Sequence, residues 1–151
     1  MRLQNKTVVI TGGSGALGQV VVPACVDAGA RVIVVDRHSR TAEAQGVRVM
    51  TADITNEADI RRLVEAILEE VGRIDALINL VGGFAMGSVL ETDLSLWQRM
   101  LTMNLTAAFL LSKAVLPHML QQRTGRIVHV AARAAVEPFP GAAAYVVSKA
   151  G

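Results

Sequence analysis

A β-branched run, Thr7–Ile10, leads directly into a stretch of small residues, T-G-G-S-G-A-L-G, from Thr11 to Gly18. No other feature narrows the possible folds as much. Small residues let the main chain pass close to anionic oxygens. A helix opening near Ala16 aims its free N–H groups and its dipole at the same point. A glycine motif that follows the first strand and opens a helix has the context dinucleotide binding requires. Gly12, Ser14, Gly15, Ala16, Leu17 and Gly18 are therefore expected to cradle a pyrophosphate. Asp36 ends the next β-branched run, and a carboxylate there accepts both ribose hydroxyls of an adenosine. The plainer alternatives are a tight strand-to-helix turn and, for Asp36, a polar strand end. A carboxylate repels a 2′-phosphate, so NAD is the expected cofactor; the adjacent Arg37 keeps NADP open.

Strand-like and helix-like segments alternate along the rest of the chain. Thr7–Ile10, Arg31–Val35, Val47–Thr51, Ala76–Leu80 and Ile127–Val130 read as five strands, apolar enough to be buried on both faces. Between them, Ile60, Leu63, Val64, Ile67 and Val71 fall on one helical stripe. Ser95 and Gln98 have capping-box spacing, so a helix is expected to start there and run to about Gln121. That segment is apolar nearly all round, through Met100, Leu101, Met103, Leu105, Phe109, Leu110, Leu111, Val115, Leu116 and Met119. One sheet face cannot cover all of these, so a second copy of the chain is expected to pack on helix 96–121. Pro23 and Pro117 lie inside helical segments, where proline removes a hydrogen bond.

Composition excludes several other classes. Net charge is +2 over 151 residues, and Arg37, Arg40, Arg61 and Arg62 are dispersed rather than clustered. No nucleic-acid partner is expected. Cys25 is the only cysteine, which rules out an internal disulfide and fits a reducing compartment. No charged-then-apolar leader precedes Thr7, and no apolar run reaches the ~18 residues of a membrane span. A soluble, cytoplasmic protein without a membrane partner or metal centre is expected.

With these elements in place, the sequence resembles the short-chain dehydrogenase/reductase family over its whole length. Thr11-Gly12 through Gly18 is similar to that family's cofactor turn. Asp53-Ile54 matches its adenine-contacting pair, and Asn79-Leu80-Val81-Gly82 its Asn-Asn-Ala-Gly. Asn104 matches its helix asparagine. Tyr145-Val-Val-Ser-Lys149 matches its Tyr-x-x-x-Lys signature. The resemblance implies a three-layer, Rossmann-like, doubly wound parallel α/β sheet of about five strands in order 3-2-1-4-5. It implies one dinucleotide-binding domain over 1–151, C-terminally incomplete, and hydride exchange between a nicotinamide and an alcohol or carbonyl substrate. The four-residue separation puts Tyr145 and Lys149 on one helix face. An ammonium there is expected to lower the phenol's proton affinity and fit it for acid–base work. The resemblance also gives Lys149 the nicotinamide ribose, and Asn104 the placement of a relay water. Read without it, Tyr145 is a core tyrosine, Lys149 a solvated lysine, Asn104 a buried amide and Asn79 a strand-end cap.

The pattern also breaks. Ala16 replaces the family's middle glycine. The family's substrate-orienting serine, thirteen residues before the tyrosine, is Ala132, and Ala131 beside it has no hydroxyl. Arg133 is a candidate substitute donor, while His129 is expected to be satisfied by local polar groups. The sequence ends two residues after Lys149, which would leave the fifth strand as an open apolar edge. An oligomer, a partner-completed half or a shortened enzyme is expected. Two rivals follow: a dinucleotide-binding sensor that does not turn over, and an assembly element built on the long helix.

Overall fold

The computed structural model describes residues 2–38 and 45–151; Arg40 lies outside them. Its five strands are β1 (Thr7–Thr11), β2 (Arg31–Asp36), β3 (Val47–Thr51), β4 (Ala76–Asn79) and β5 (Arg126–His129). They form one sheet in the order β3-β2-β1-β4-β5, with every neighbouring pair parallel. The expected doubly wound α/β fold is borne out.

The central strands β1, β2 and β4 serve two cores, whereas the edge strands β3 and β5 are half-buried or exposed, against the expectation that all five are buried on both faces. Alternate residues of a strand face opposite sides of the sheet. Val8, Ile10, Val32 and Val34 pack with Val22 and Cys25 of α1 (Gly18–Asp27). Val9, Ile33, Val35 and Leu77 pack on the other side with Ile60, Val64 and Ile67 of α2 (Glu57–Val71). Leu111, Val115 and Met119 of α4 (Ala107–Gln121) complete that second layer. The Asn56 side chain caps α2 by accepting from the N–H groups of Ala58 and Asp59, and Gly72 ends it in the left-handed region.

The long helix differs from expectation in three ways. It starts two residues early: Asp93 Oδ1 accepts the Leu96 N–H at 2.7 Å and the Ser95 hydroxyl at 2.8 Å. Ser95 therefore belongs to the cap as a donor to Asp93. Its first part, α3 (Leu94–Leu101), passes through a π-helical segment, Thr102–Thr106, before α4 continues past Pro117 to Gln121. Taken whole, Leu94–Gln121 spans 28 residues and is long and apolar enough to cross a membrane. This corrects the expectation that no stretch would be. Arg99 and Lys113 interrupt the apolar run in the sequence without outweighing the rest of the helix. In the fold, Asn104, Ala107, Leu111, Val115 and Met119 turn one stripe of it inward, while Phe109 and Leu120 remain 60% and 68% exposed.

The registers place the strand ends together. Thr11 lies level with Val35 and Asn79, Asp36 with Thr51, and Asn79 with His129. The chain runs outward from β1 to β2 and β3 on one side, and to β4 and β5 on the other. The crevice beyond the carboxyl ends of β1 and β4 is thus the topological switch point, where open α/β sheets bind ligands.

Candidate functional site

The glycine turn occupies one wall of that crevice. Gly12 has φ +74° and sits so close to Val81 that an added Cβ would lie 3.0 Å from a Val81 methyl carbon. A Cβ on Gly18 would lie 2.3 Å from the Gly13 carbonyl oxygen. Ser14 donates its main-chain N–H to Asp36 Oδ2 at 2.9 Å, which ties the turn to the end of β2. Helix α1 begins at Gly18, slightly later than the expected Ala16. Among the described residues, no hydrogen bond engages the N–H groups of Ala16, Leu17 or Gly18. Gly15, Ala16 and Leu17 are exposed. Free, converging N–H groups at a helix start are the donor set a diphosphate needs. The turn therefore fits a dinucleotide.

Asp53 lies beyond β3. Its Oδ1 accepts from the Thr55 N–H (2.9 Å) and hydroxyl (2.7 Å), and these bonds hold its carboxyl below the usual range, with Arg37 adding attraction. The Ile54 side chain packs into the core, so only its main chain can meet a ligand. Asn79 is buried. Its Oδ1 accepts the Thr11 hydroxyl at 2.6 Å, and its Nδ2 lies 3.5 Å from His129 Nδ1. His129 Nε2 is in turn 3.0 Å from Ser112 Oγ, which donates to the Ala108 carbonyl. Ser112 has one proton and uses it on Ala108, so His129 carries its proton on Nε2. Asn79 and His129 thus act as a cross-link over β1, β4, β5 and α4, His129 being satisfied by local polar groups as expected.

The second wall converges on Asn104. The π segment places its amide against the loop after β4: Oδ1 accepts the Gly83 N–H at 2.8 Å, and Nδ2 donates to the Gly83 carbonyl at 3.0 Å. The same Nδ2 donates to Ser148 Oγ at 2.8 Å, and Ser148 donates on to the Tyr145 carbonyl. Helix α5 (Ala143–Ala150) is thereby locked to the long helix through the residue next to Lys149. An added Cβ on Gly82 would lie 3.0 Å from Asn104 Oδ1 and 3.2 Å from Lys149 Nζ. Lys149 donates to the Val130 carbonyl at 2.9 Å, and burial pushes its ammonium below the ordinary lysine range. Among the described residues, the Tyr145 hydroxyl has no hydrogen-bond partner; its ring lies edge-to-face against Phe84.

The structure thus brings Gly12, Val81, Gly82, Asn104, Lys149 and Tyr145 around one crevice, with Asp36 across the glycine turn. Arg133 is not brought in: its guanidinium pairs with Glu137 at 3.0 Å and its side chain is 85% exposed. Ser148 and Gly83 were not anticipated. Their signal was spacing alone, Ser148 lying three residues after Tyr145 and Gly83 after Gly82.

A model of the short chain dehydrogenase family matches residues 6–151. The chain belongs to that family. Among short-chain dehydrogenases, it is 32% identical to 2-(S)-hydroxypropyl-CoM dehydrogenase 3 of Xanthobacter autotrophicus, over 98% of this chain and 62% of that one. It is 31% identical to D-threitol dehydrogenase of Mycolicibacterium smegmatis, over 99% of this chain and 61% of the relative. The crystal structure of an NAD+-bound xylitol dehydrogenase superposes with a TM-score of 0.93 at 30% identity, covering 99% of this chain and 62% of that chain. The chain therefore spans about three fifths of the length of these short-chain dehydrogenases.

Proposed function

We propose that this short-chain dehydrogenase is an NAD(P)-dependent oxidoreductase acting on an alcohol/carbonyl pair, and that residues 1–151 form its dinucleotide-binding domain. The observation that carries the reading is the convergence of Asn104, Gly82, Lys149 and Tyr145 one strand away from a turn with free N–H groups. A bound nicotinamide supplies hydride transfer, and is oxidised when the carbonyl is reduced. The N–H groups of Ala16–Gly18 hold the diphosphate, and Asp36, with one oxygen already on Ser14, takes a ribose hydroxyl with the other. Asp53 and the main chain of Ile54 would meet the adenine end of the cofactor, and Asn79, Val81 and Gly82 would help hold its nicotinamide end. Lys149 binds the nicotinamide ribose. Tyr145 moves the proton to or from the substrate oxygen. Asn104 fixes the loop at Gly83 and the helix at Ser148, so that these groups keep their spacing.

Calorimetry with NADH and NADPH, followed by hydride-transfer assays on a ketone panel, tests this. Tighter binding of NADH is expected because of Asp36; tighter binding of NADPH would overturn the preference. Absence of binding to either would overturn the function. Ala132 favours a second reading, binding without efficient turnover, since no hydroxyl stands there to orient the substrate oxygen. Binding with no detectable turnover on any ketone would select it. The exposed Phe109 and Leu120 are read as the seat of a second copy of the chain. In sedimentation, Phe109→Asp is expected to lower the mass of the assembly; an unchanged mass would refute that interface.

A further inference from the structure

The chain is poor in aromatics, with three Phe, one Tyr and one Trp. Two of the three Phe gather at Tyr145. The Phe84 ring centroid is 4.8 Å from that of Tyr145 with the planes at 77°, and 6.3 Å from that of Phe139 at 79°. Both are edge-to-face pairs, the geometry ring quadrupoles prefer. The row is held by main chain. Gly87 donates its N–H to the Gly141 carbonyl at 2.7 Å, and Ala143 donates to the Gly87 carbonyl at 2.9 Å. These bonds stitch the loop carrying Phe84 to the loop carrying Phe139. The Met86 methyl lies over Gly141, 3.3 Å from where a Cβ would be.

This row is nonetheless open: Phe84 is 56% and Phe139 43% exposed. Two polar side chains of the same loop are engaged locally. Glu91 accepts the Ser88 N–H, and the Thr92 hydroxyl is engaged by the carbonyls of Gly87 and Ser88. Ala131 and Ala132 carry no hydroxyl, and Arg133 is paired with Glu137. Exposed, pre-stacked aromatic edges beside a lone phenol favour a flat apolar group over a hydrated one.

We propose that Phe84, Phe139 and Met86 form the substrate-facing wall beside Tyr145 and select carbonyl compounds bearing an aryl group over polyols. This rests on the reading of Tyr145 as the proton-transferring residue. Because the chain has one tyrosine, tyrosine-selective ring labelling gives a single NMR reporter at the site, independent of turnover. Acetophenone is expected to shift the Tyr145 ring resonances saturably, and xylitol to leave them in place. Phe84→Ala is expected to weaken acetophenone binding about tenfold, and Phe84→Trp, which leaves Tyr145 the single tyrosine, to retain most of it. NADH affinity, measured by calorimetry on the same samples, should not change. Phe139→Ala supplies a second variant should Phe84→Ala fail to fold. A Tyr145 resonance moved by xylitol and not by acetophenone overturns the proposal, as does full acetophenone affinity in both alanine variants. Acetophenone binding without any NADH binding would overturn the redox function while leaving the aryl-selective wall in place.

Discussion

Tyr145 and Ala132 pull the chemistry in opposite directions. Among the described residues the phenol has no hydrogen-bond partner, and Lys149 lies one helical turn away on the same face. Proton transfer by a positioned side chain contributes about 10²–10⁴ to rate. Tyr145→Phe keeps the edge-to-face contact with Phe84 and removes only the hydroxyl. It is expected to lower kcat by about that factor, with an unchanged Kd for NADH by calorimetry; a kcat within a fewfold of the parent would remove Tyr145 from the mechanism. Ala132 is half-buried, two residues beyond the carbonyl that Lys149 binds. One missing oxyanion-type donor costs roughly 10²–10³ in rate. Ala132→Ser is therefore expected to raise kcat/KM by up to about 10², scored by NADH oxidation. No gain in a folded variant would show that the substrate oxygen is oriented by another group. Both residues were legible from spacing to the Tyr-x-x-x-Lys signature. Ser148 was not, because its role depends on a partner 44 residues away in sequence, and no local pattern records that.

At the scale of elements, the glycine turn and the long helix show what local pattern does and does not encode. The turn was readable because its requirement is local: a backbone path that leaves no room for side chains. A Cβ at Gly18 meets main-chain atoms of Gly13 at 2.3–2.5 Å, and main chain cannot be displaced cheaply. Gly18→Ala is expected to destabilise the fold by about 1–3 kcal/mol and to weaken NADH binding. Gly15→Ala, whose Cβ would lie 3.2 Å from the Gly12 carbonyl oxygen, should do less on both counts. Urea midpoints and NADH titrations of the two variants check the order, and a reversed order would refute the packing argument. The long helix was readable in its end and its excess apolar surface but not in its middle. A π segment over Thr102–Thr106 changes which residues share a face. It turns Asn104 to the loop at Gly83 while Ala107, Leu111 and Val115 still reach the sheet. Hydrophobic periodicity assumes a constant turn angle, so a local change of helix type is invisible to it. The start was misplaced for a related reason, since Asp93 and Ser95 are both good caps and only the geometry chooses between them.

Across the molecule, the site end of the sheet is balanced by a charged knot at the opposite end. Asp75 is buried just before β4. Its carboxylate accepts the Thr7 N–H at 3.0 Å, the Lys6 ammonium at 3.1 Å and two N–H groups of Arg73 at 2.8 and 2.6 Å. Its main chain pairs with Thr7 on one side and Arg126 on the other. One residue thus pins the starts of β1, β4 and β5, fixing the registers that align Thr11, Asn79 and His129 at the far end. Burial pushes this carboxyl up, but the bonds from Arg73, Thr7 and Lys6 outweigh it and hold it at about 2. A carboxyl depressed in the folded chain stabilises it above its unfolded pKa near ~3.9. That stabilisation fades as pH falls from there through about 2. The shift corresponds to about 2 kcal/mol at neutral pH. Asp75→Asn keeps the size, removes the charge and is expected to cost about that much in urea unfolding at pH 7. The gap between parent and variant should shrink steadily below pH 4 and nearly close by about pH 2. Glu57, Glu91 and Asp93 are also held low, by Lys113, the Ser88 N–H and the Leu96 N–H respectively, but they are exposed. Whatever they add is screened by water and common to both proteins, so it cancels in the difference. A gap that stays constant from pH 7 to pH 2 would mean that Asp75 holds the strands together by shape rather than by charge.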